Sequence, residues 1–451
     1  MAPEMQELFG THGLACDITE VLGLDDIHAP NDQCLAAQEL AAAAYGSEYC
    51  YFLVNGSTVG NQAMFLAALD PGDTVILPRA CHRSVFAALT LSGARAHFMA
   101  SGFEESILTS LPPSLEDLRS ALKACPQAKA LFLTSPSYHG LTPDLDSLIT
   151  EAHQSGLIVL VDEAWGGHLA FHPRLPSSAL DFGADLVCQS VHKMTCGLTQ
   201  SALLHSQGNS ELQTRLRSVL SHLQTSSPSS LLVASIDCAR RQMVLEGRAM
   251  WTEALELSEF ARRGIQSITG LFCFQQSERN WDSSRLIINA TERGYSGYAL
   301  AHYLRNESKI QVEMWEAHQV LLLLQPGHTK ADIDHLLTAL NTLPPRELEF
   351  DFAQLKDCSR AVLAIDNQLQ PNYTFRELFY KSRTSKSLHE SVDRLSAELL
   401  YCYPPGVPLL YPGQPISEDI LDFVRTQLRL GGTINGGADP SLDTILVLEG
   451  L

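Results

Sequence analysis

Leu157-Ile158-Val159-Leu160-Val161-Asp162-Glu163-Ala164-Trp165-Gly166 is the stretch on which the reading of the fold turns. It opens with a continuous apolar run, rich in β-branched residues, in which no polar residue alternates. That pattern reads as a strand buried on both faces, as in a parallel sheet covered by helices. Outward from it, Tyr51–Val54, Thr74–Leu77, Ala130–Thr134 and Leu186–Gln189 read as further short apolar strands. Gly60–Leu69, Val85–Ser92 and Leu145–Ser155 read as helices between them, the first closed by Asp70-Pro71-Gly72-Asp73. Alternating strands and helices predict an α/β large domain, and in such sheets chemistry gathers where the strands end at their carboxyl side.

The rest of the chain divides around that core. Residues 1–45 form an N-terminal segment, and 46–265 the large domain, closed by a connector helix over Leu231–Arg263 that only Gly247 interrupts. Residues 266–345 read as a smaller α+β unit, with strands at Ser284–Ile288, Val312–Met314 and Val320–Leu324 and helices at Tyr298–Leu304 and Ala331–Leu340. Residues 346–451 form a C-terminal domain, punctuated by Tyr403-Pro404-Pro405-Gly406 and Tyr411-Pro412-Gly413.

A net charge of −20 over 451 residues argues against nucleic acid or an anionic membrane surface as partner. Attraction of a cationic small molecule and plain solubility both fit it. Eleven cysteines without a CxxC pair suggest reduced thiols, and hence a cytoplasmic enzyme. His12 and Cys16 have near-helical spacing but no second ligand pair, so no metal site is expected. Met1-Ala2-Pro3-Glu4 lacks the basic and apolar parts of a signal peptide, and no apolar run is long enough to span a membrane.

Three features fall at successive strand ends. Asn55-Gly56-Ser57-Thr58 lies between a strand and a helix, where hydroxyls and free N–H groups suit either a phosphate or simple N-capping by Ser57 or Thr58. Asp162 ends the most apolar strand. A carboxylate there is costly unless paired, and the candidates are a protonated pyridine nitrogen, a structural ion pair or a helix cap. Lys193, in Ser190-Val191-His192-Lys193, follows another apolar strand, where desolvation frees an amine for imine formation; a solvated surface lysine is the alternative. The order phosphate loop, then aspartate, then lysine about thirty residues later is more specific than any member alone. It points to pyridoxal 5′-phosphate, with Ser190 and His192 as further phosphate donors.

Asp162-Glu163-Ala164-Trp165-Gly166-Gly167-His168 with Phe171-His172-Pro173 resembles the Orn/Lys/Arg decarboxylase family of fold-type I pyridoxal phosphate enzymes. So do Gly183-Ala184-Asp185-Leu186-Val187, the Lys193 run and Leu198-Thr199-Gln200. Asp17-Ile18-Thr19-Glu20 with Gly23-Leu24-Asp25 resembles the family's N-terminal loop, and Glu398 with Tyr403-Pro404-Pro405-Gly406-Val407-Pro408 its C-terminal domain. The resemblance implies an aspartate aminotransferase-like large domain and α-decarboxylation of a basic L-amino acid. Arginine and lysine come first and ornithine third, giving agmatine or cadaverine plus CO2 for polyamine biosynthesis.

The same resemblance implies roles residue by residue. Lys193 would carry the cofactor covalently, and Asp162 would keep its ring nitrogen protonated. His82, in Arg79-Ala80-Cys81-His82-Arg83-Ser84, would stack on one ring face, and Ala164 would pack on the other beside Trp165. Ser57, Thr58, Ser190 and His192 would hold the phosphate, and Ser227 would reach a neighbouring subunit's phosphate, so a homodimer, or a dimer of dimers, with shared active sites is implied. Glu398 would meet the substrate's distal cation, and Lys193 or His192 would return the proton to Cα. Capping or core packing for His82, core filling for Trp165 and a surface ion pair for Glu398 are the plainer readings.

The sequence departs from the family pattern in three places. The family's short members carry a Pro-Gly-His-Lys motif ahead of the N-terminal loop, and none stands here. No receiver-like domain precedes the large domain, so the compact branch is the expected one. Tyr138-His139-Gly140 replaces Tyr-Asp-Gly. Two other readings stand beside the decarboxylase: an aminotransferase or carbon–sulfur lyase on the same fold, which an arginine clamping the α-carboxylate would mark, and a degenerate regulatory paralogue.

Overall fold

A computed structural model of the chain describes every residue except 1–4, 6, 8, 9, 11, 12, 19–23, 277–279, 348–350 and 403–405, together with the side chains of 365, 366 and 368. His12, Thr19, Glu20, Gly23 and Tyr403-Pro404-Pro405 therefore lie outside the described residues. The chain forms two compact units. One comprises Met1–Leu69, Lys129–Pro136 and Leu145–Arg248, the other Asp70–Ala128, Ser137–Asp144 and Ala249–Leu451.

In the first unit, α1 (Gln33–Tyr45), β1 (Tyr49–Leu53) and α2 (Gly56–Ala68) precede β2 (Ala130–Thr134), α3 (Leu145–Gln154) and β3 (Ile158–Asp162). There follow β4 (Leu186–Ser190), the one-turn α4 (Val191–Met194), β5 (Ala202–Ser206), α5 (Ser210–Leu223) and the start of α6 (Ser230–Gln266). The strands lie in the order β1-β5-β4-β3-β2. The three adjacent apolar strands β2, β3 and β4 are parallel, with Thr134 opposite Asp162 and Asp162 opposite Cys188. β5 runs antiparallel to both β4 and β1, a reversal that an apolar run cannot signal by itself.

α2 begins four residues ahead of the expected Gly60. Gly56, read as part of the loop before the helix, has φ +70° and sets the turn out of β1 into it, a conformation glycine adopts without the Cβ penalty. The helix packs inward through Met64 and Phe65, whose ring lies 5.4 Å from that of Phe132 on β2. Arg215 of α5 closes its far end, donating to the carbonyls of Leu66 at 3.0 Å and Leu69 at 2.7 Å. A cation there satisfies orphan carbonyls and opposes the helix dipole. α6 runs through Gly247 without a break. A Cβ at that position would lie 3.2 Å from the Phe171 Cβ, so the glycine serves close packing and not interruption.

The second unit holds the parallel pair Thr74–Pro78 and Arg95–Met99, joined by the helix Arg83–Ser92. It also holds a four-stranded sheet in the spatial order Phe272–Cys273, Arg285–Asn289, Val320–Leu323, Met314–Trp315. Leu286, Ile288, Leu300, Leu304, Leu336 and Leu340 pack as one core between that sheet and helices Gly297–Asn306 and Lys330–Asn341. Further on, Arg383–Ser387 pairs with Thr444–Leu448, and the helix Glu418–Arg429 buries Ile420, Leu421 and Val424 beside Ile445 and Val447. Buried Arg79 donates to the Pro408 carbonyl at 2.7 Å and lies 4.9 Å from the Tyr411 ring centroid. The loop carrying His82 is thereby tied to the C-terminal segment.

The closest approach of α2 to the sheet is at Gly60, where an added Cβ would lie 2.1 Å from the Cys188 Sγ of β4. Gly60→Ala is expected to lower unfolding stability by about 1–3 kcal/mol through overpacking, despite alanine's better helix propensity. In a Cys188→Ala background the same substitution should cost clearly less. Urea unfolding of the four members of this cycle measures the coupling, and an equal cost in both backgrounds would contradict this packing.

Candidate active site

Strand pleating decides which carboxylate can do what. Successive side chains at the end of a strand point to opposite sheet faces, so Asp162 and Glu163 part company. Asp162, on the α2 face, is 4% exposed. Its Oδ2 accepts from Asn61 Nδ2 at 2.7 Å and its Oδ1 from the Ala164 N–H at 3.0 Å. Both donors are neutral, so they orient the carboxylate without neutralising it. The sequence reading did not single out Asn61, although its spacing from Ser57 places both on one helix face.

The same face collects the other groups. Asn55 is the N-cap residue of α2 but makes no side-chain cap bond. Ser57 and Thr58 are therefore first-turn residues, which corrects their reading as caps. Ser190, at the end of β4, donates from Oγ to Ser57 Oγ at 3.0 Å, so two hydroxyls meet beside the first turn of α2. The Gly56 N–H bonds to the Gln200 carbonyl at 2.8 Å, and Gln224 holds Val54 N–H and Phe52 C=O, fixing this loop from behind.

α4 places His192 and Lys193 one turn beyond β4. Lys193 Nζ lies 4.3 Å from the centroid of the buried Trp165 ring, within cation–π range. His192 Nδ1 is 3.0 Å from the Ser201 carbonyl, which only a donor can satisfy, so this nitrogen carries the proton. Burial lowers the pKa of the ring, partly offset by that carbonyl and reinforced by Lys193. Neutral His192 thus offers Nε2 as an acceptor, and donation to a phosphate requires the anion's own field to recharge the ring. Buried Cys188 lies behind these groups, its thiol pushed well up by burial and by Asp162, with an opposing pull from Lys193.

Glu163, on the other face, is fully buried. It accepts from Ser178 Oγ at 2.8 Å, Gln189 Nε2 at 2.7 Å and the Ala179 N–H at 2.8 Å. Gln189 Oε1 is 3.2 Å from His205 Nε2, and His205 Nδ1 is 2.9 Å from Ser47 Oγ. Because the Gln189 amide nitrogen faces the Glu163 carboxyl group, its oxygen faces His205, which donates from Nε2. Burial drives the His205 pKa down to about 3, so the ring is neutral and its Nδ1 accepts from the Ser47 hydroxyl. Burial raises Glu163 to about 7 against its three donors.

The remaining candidates lie elsewhere. Ser227 is exposed, in the segment after α5, and its N–H bonds to Thr225 Oγ1 at 3.3 Å. His82 and Glu398 belong to the second unit. His82 does cap its helix, accepting the Ser84 N–H at Nδ1, which leaves the proton of the neutral ring on Nε2. Glu398 is 6% exposed, not a surface ion pair. Its Oε1 accepts the Ala438 N–H at 2.7 Å, and burial raises its pKa. Among the described residues no cluster of His, Cys, Asp and Glu could hold a metal ion, and no helix is long and apolar enough to cross a membrane.

Comparison with known proteins gives the same picture from another direction. The family described as "Orn/Lys/Arg decarboxylase, major domain" matches residues 3–285, and its C-terminal domain matches 354–436. A protein named arginine decarboxylase from Bacillus subtilis (strain 168) is 34% identical over 455 residues, covering 100% of this chain and 92% of its own length. The constitutive lysine decarboxylase of Escherichia coli (strain K12) is 22% identical, over 94% of this chain and 72% of its own. Among solved structures, lysine decarboxylase A from Pseudomonas aeruginosa superposes with a TM-score of 0.84 at 18% identity, over 99% of this chain and 76% of that one. The expected fold class is borne out.

The opposed shifts of Glu163 and His205 make a test of the buried network. From about pH 5 to 7 the folded Glu163 keeps a proton that the unfolded chain has released, so its contribution to stability falls as pH rises. His205 acts oppositely over its own lower range, from about 3 to the ordinary histidine value of 6.5. Glu163→Gln removes only the first effect. Relative to wild type, the variant should gain about 1.4 kcal/mol per pH unit between pH 5 and 7. Urea midpoints at pH 5, 6 and 7 measure this, and parallel pH profiles would contradict a protonated Glu163.

Proposed function

Because the chain belongs to the Orn/Lys/Arg decarboxylase family, we propose that it is a pyridoxal phosphate-dependent decarboxylase of a basic L-amino acid, with arginine as the preferred substrate. The observation that carries the reading is the convergence on one face of the sheet of buried Asp162, the Ser57–Ser190 hydroxyl pair and Lys193 over Trp165. The residues fit the cofactor. Asp162 is oriented by two neutral donors, so its carboxyl group faces a pyridinium N–H without a competing ion pair in those bonds, and the hydroxyls meet where α2 offers first-turn N–H groups to a phosphate.

Lys193 would hold the cofactor through its amine, and Asp162 would keep the ring nitrogen protonated. Ser57, Thr58, Ser190 and recharged His192 would bind the phosphate, with Ser227 serving a neighbouring subunit's phosphate in a dimer. Ala164 and Trp165 would line one side of the ring and His82 would stack on it. When bound, pyridoxal phosphate supplies an electron sink for the carbanion left as CO2 departs.

The protein's work is orientation and exclusion of water. Trp165, with 8% of its surface exposed, walls the amine of Lys193 from solvent on one side. Proton return to Cα falls to Lys193 Nζ or to His192 Nε2, since His192 Nδ1 is committed to the Ser201 carbonyl. Glu398, acting across the dimer, is assigned to the distal group of the substrate. Two carboxylate oxygens match a planar guanidinium better than an ammonium, which favours arginine, as does the name of the 34%-identical relative.

Incubation of the purified protein and cofactor with arginine, lysine or ornithine tests the reading through CO2 and amine release. Arginine should be decarboxylated about tenfold or more faster than the other two. Lys193→Ala should abolish the visible absorbance of bound cofactor and lower activity by about a thousandfold or more. Faster turnover of lysine or ornithine would overturn the substrate assignment. A keto acid without CO2 would overturn the reaction.

A further inference from the structure

Glu163 is a fully buried acid to which the proposed reaction gives no part. A buried ionisable group that answers no buried cation costs stability, so its retention calls for a physical reason. Its position supplies one. The Glu163 N–H makes a final ladder bond to the Cys188 carbonyl at 2.8 Å, just past the Asp162–Cys188 pairing. Its side chain then crosses the sheet to Gln189, the residue between Cys188 and Ser190. Backbone and side chain together lock the carboxyl ends of β3 and β4 at a fixed separation and register. The groups of the first unit that the cofactor would meet just beyond these two strands leave from that lock: Asp162, Ala164 and Trp165 from β3, Ser190, His192 and Lys193 from β4. Gln189 is held in turn by His205 on β5, so its amide cannot rotate without losing two buried bonds.

We propose that Gln189, acting with Glu163, is a positioning residue for the reaction: from the opposite face of the sheet it sets the spacing between the carboxylate at the ring nitrogen and the lysine that holds the cofactor. This inference rests on the proposed function. Displacement of one strand end by a few tenths of an ångström would shift Asp162 relative to Lys193. Catalytic constellations tolerate only about half an ångström of such slack.

Gln189→Leu conserves approximate volume and deletes both cross-strand bonds, while Glu163 keeps Ser178 and Ala179. In holoenzyme reconstituted with pyridoxal phosphate, the variant should show a weakened induced circular dichroism band per bound cofactor. Cofactor affinity and kcat for arginine should each fall by about tenfold, with KM changed by less than about threefold. Glu163→Gln, which keeps the Oε1 acceptor, should fall between wild type and Gln189→Leu on every readout, and it serves alone if Gln189→Leu does not fold. A purely structural role predicts a lower melting temperature with unchanged dichroism and kcat per bound cofactor, and that result overturns the proposal. The two ideas fail separately. If wild type binds no cofactor through Lys193, the functional reading falls; if it does, and these variants match it per bound cofactor, only the positioning role falls.

Discussion

One buried carboxylate organises this molecule. Asp162 ends the most apolar strand of the chain, and the sheet around it exists in a form that makes such a group tolerable. Asn61 and the Ala164 N–H, both neutral donors, hold its two oxygens. A buried carboxyl group so placed suits a cationic partner, and the protonated pyridine ring of the proposed cofactor is one. The parallel order of β2, β3 and β4 brings the carboxyl ends of β3 and β4 to one edge, so the segments carrying the aspartate and the lysine leave adjacent strands on the same side.

The opposite face carries a second buried acid with a different solution. Glu163 is surrounded by donors only, and desolvation still outweighs them. The chain Glu163–Gln189–His205–Ser47 is consistent in donor and acceptor sense along its whole length, which holds one tautomer of His205 and one orientation of Gln189. Two adjacent residues of the sequence thus serve two faces, one toward chemistry and one toward the register of the strands. Buried polar networks of this kind trade stability for a unique arrangement when every member is satisfied.

Much of this was legible in the sequence. Continuous apolar runs marked β2, β3 and β4 within a residue or so of their ends, because burial on both faces leaves no other pattern. The order Ser57, Asp162, Lys193 pointed to the cofactor because each falls at a strand end. What escaped depended on partners distant in the chain. Asn61 and Gln189 are unremarkable polar residues until α2 and β3 are laid beside them, and His205 lies on a strand whose antiparallel direction no local pattern reveals. The start of α2 was misplaced because Asn55-Gly56-Ser57-Thr58 reads as a loop before the helix, whereas Gly56 at φ +70° launches it. Glu398 could be placed in the C-terminal domain, but only packing shows it buried on the Ala438 N–H.

The central claim is that Lys193, facing Trp165 and served by Asp162, carries the cofactor. Reduction of the purified holoenzyme with borohydride, followed by proteolysis and mass mapping, tests it most directly. The account predicts a phosphopyridoxyl adduct on the peptide containing Lys193, formed in stoichiometric yield and reduced to background when arginine product is trapped in the site before reduction. An adduct concentrated on another lysine, or no adduct in protein saturated with pyridoxal phosphate, would contradict it.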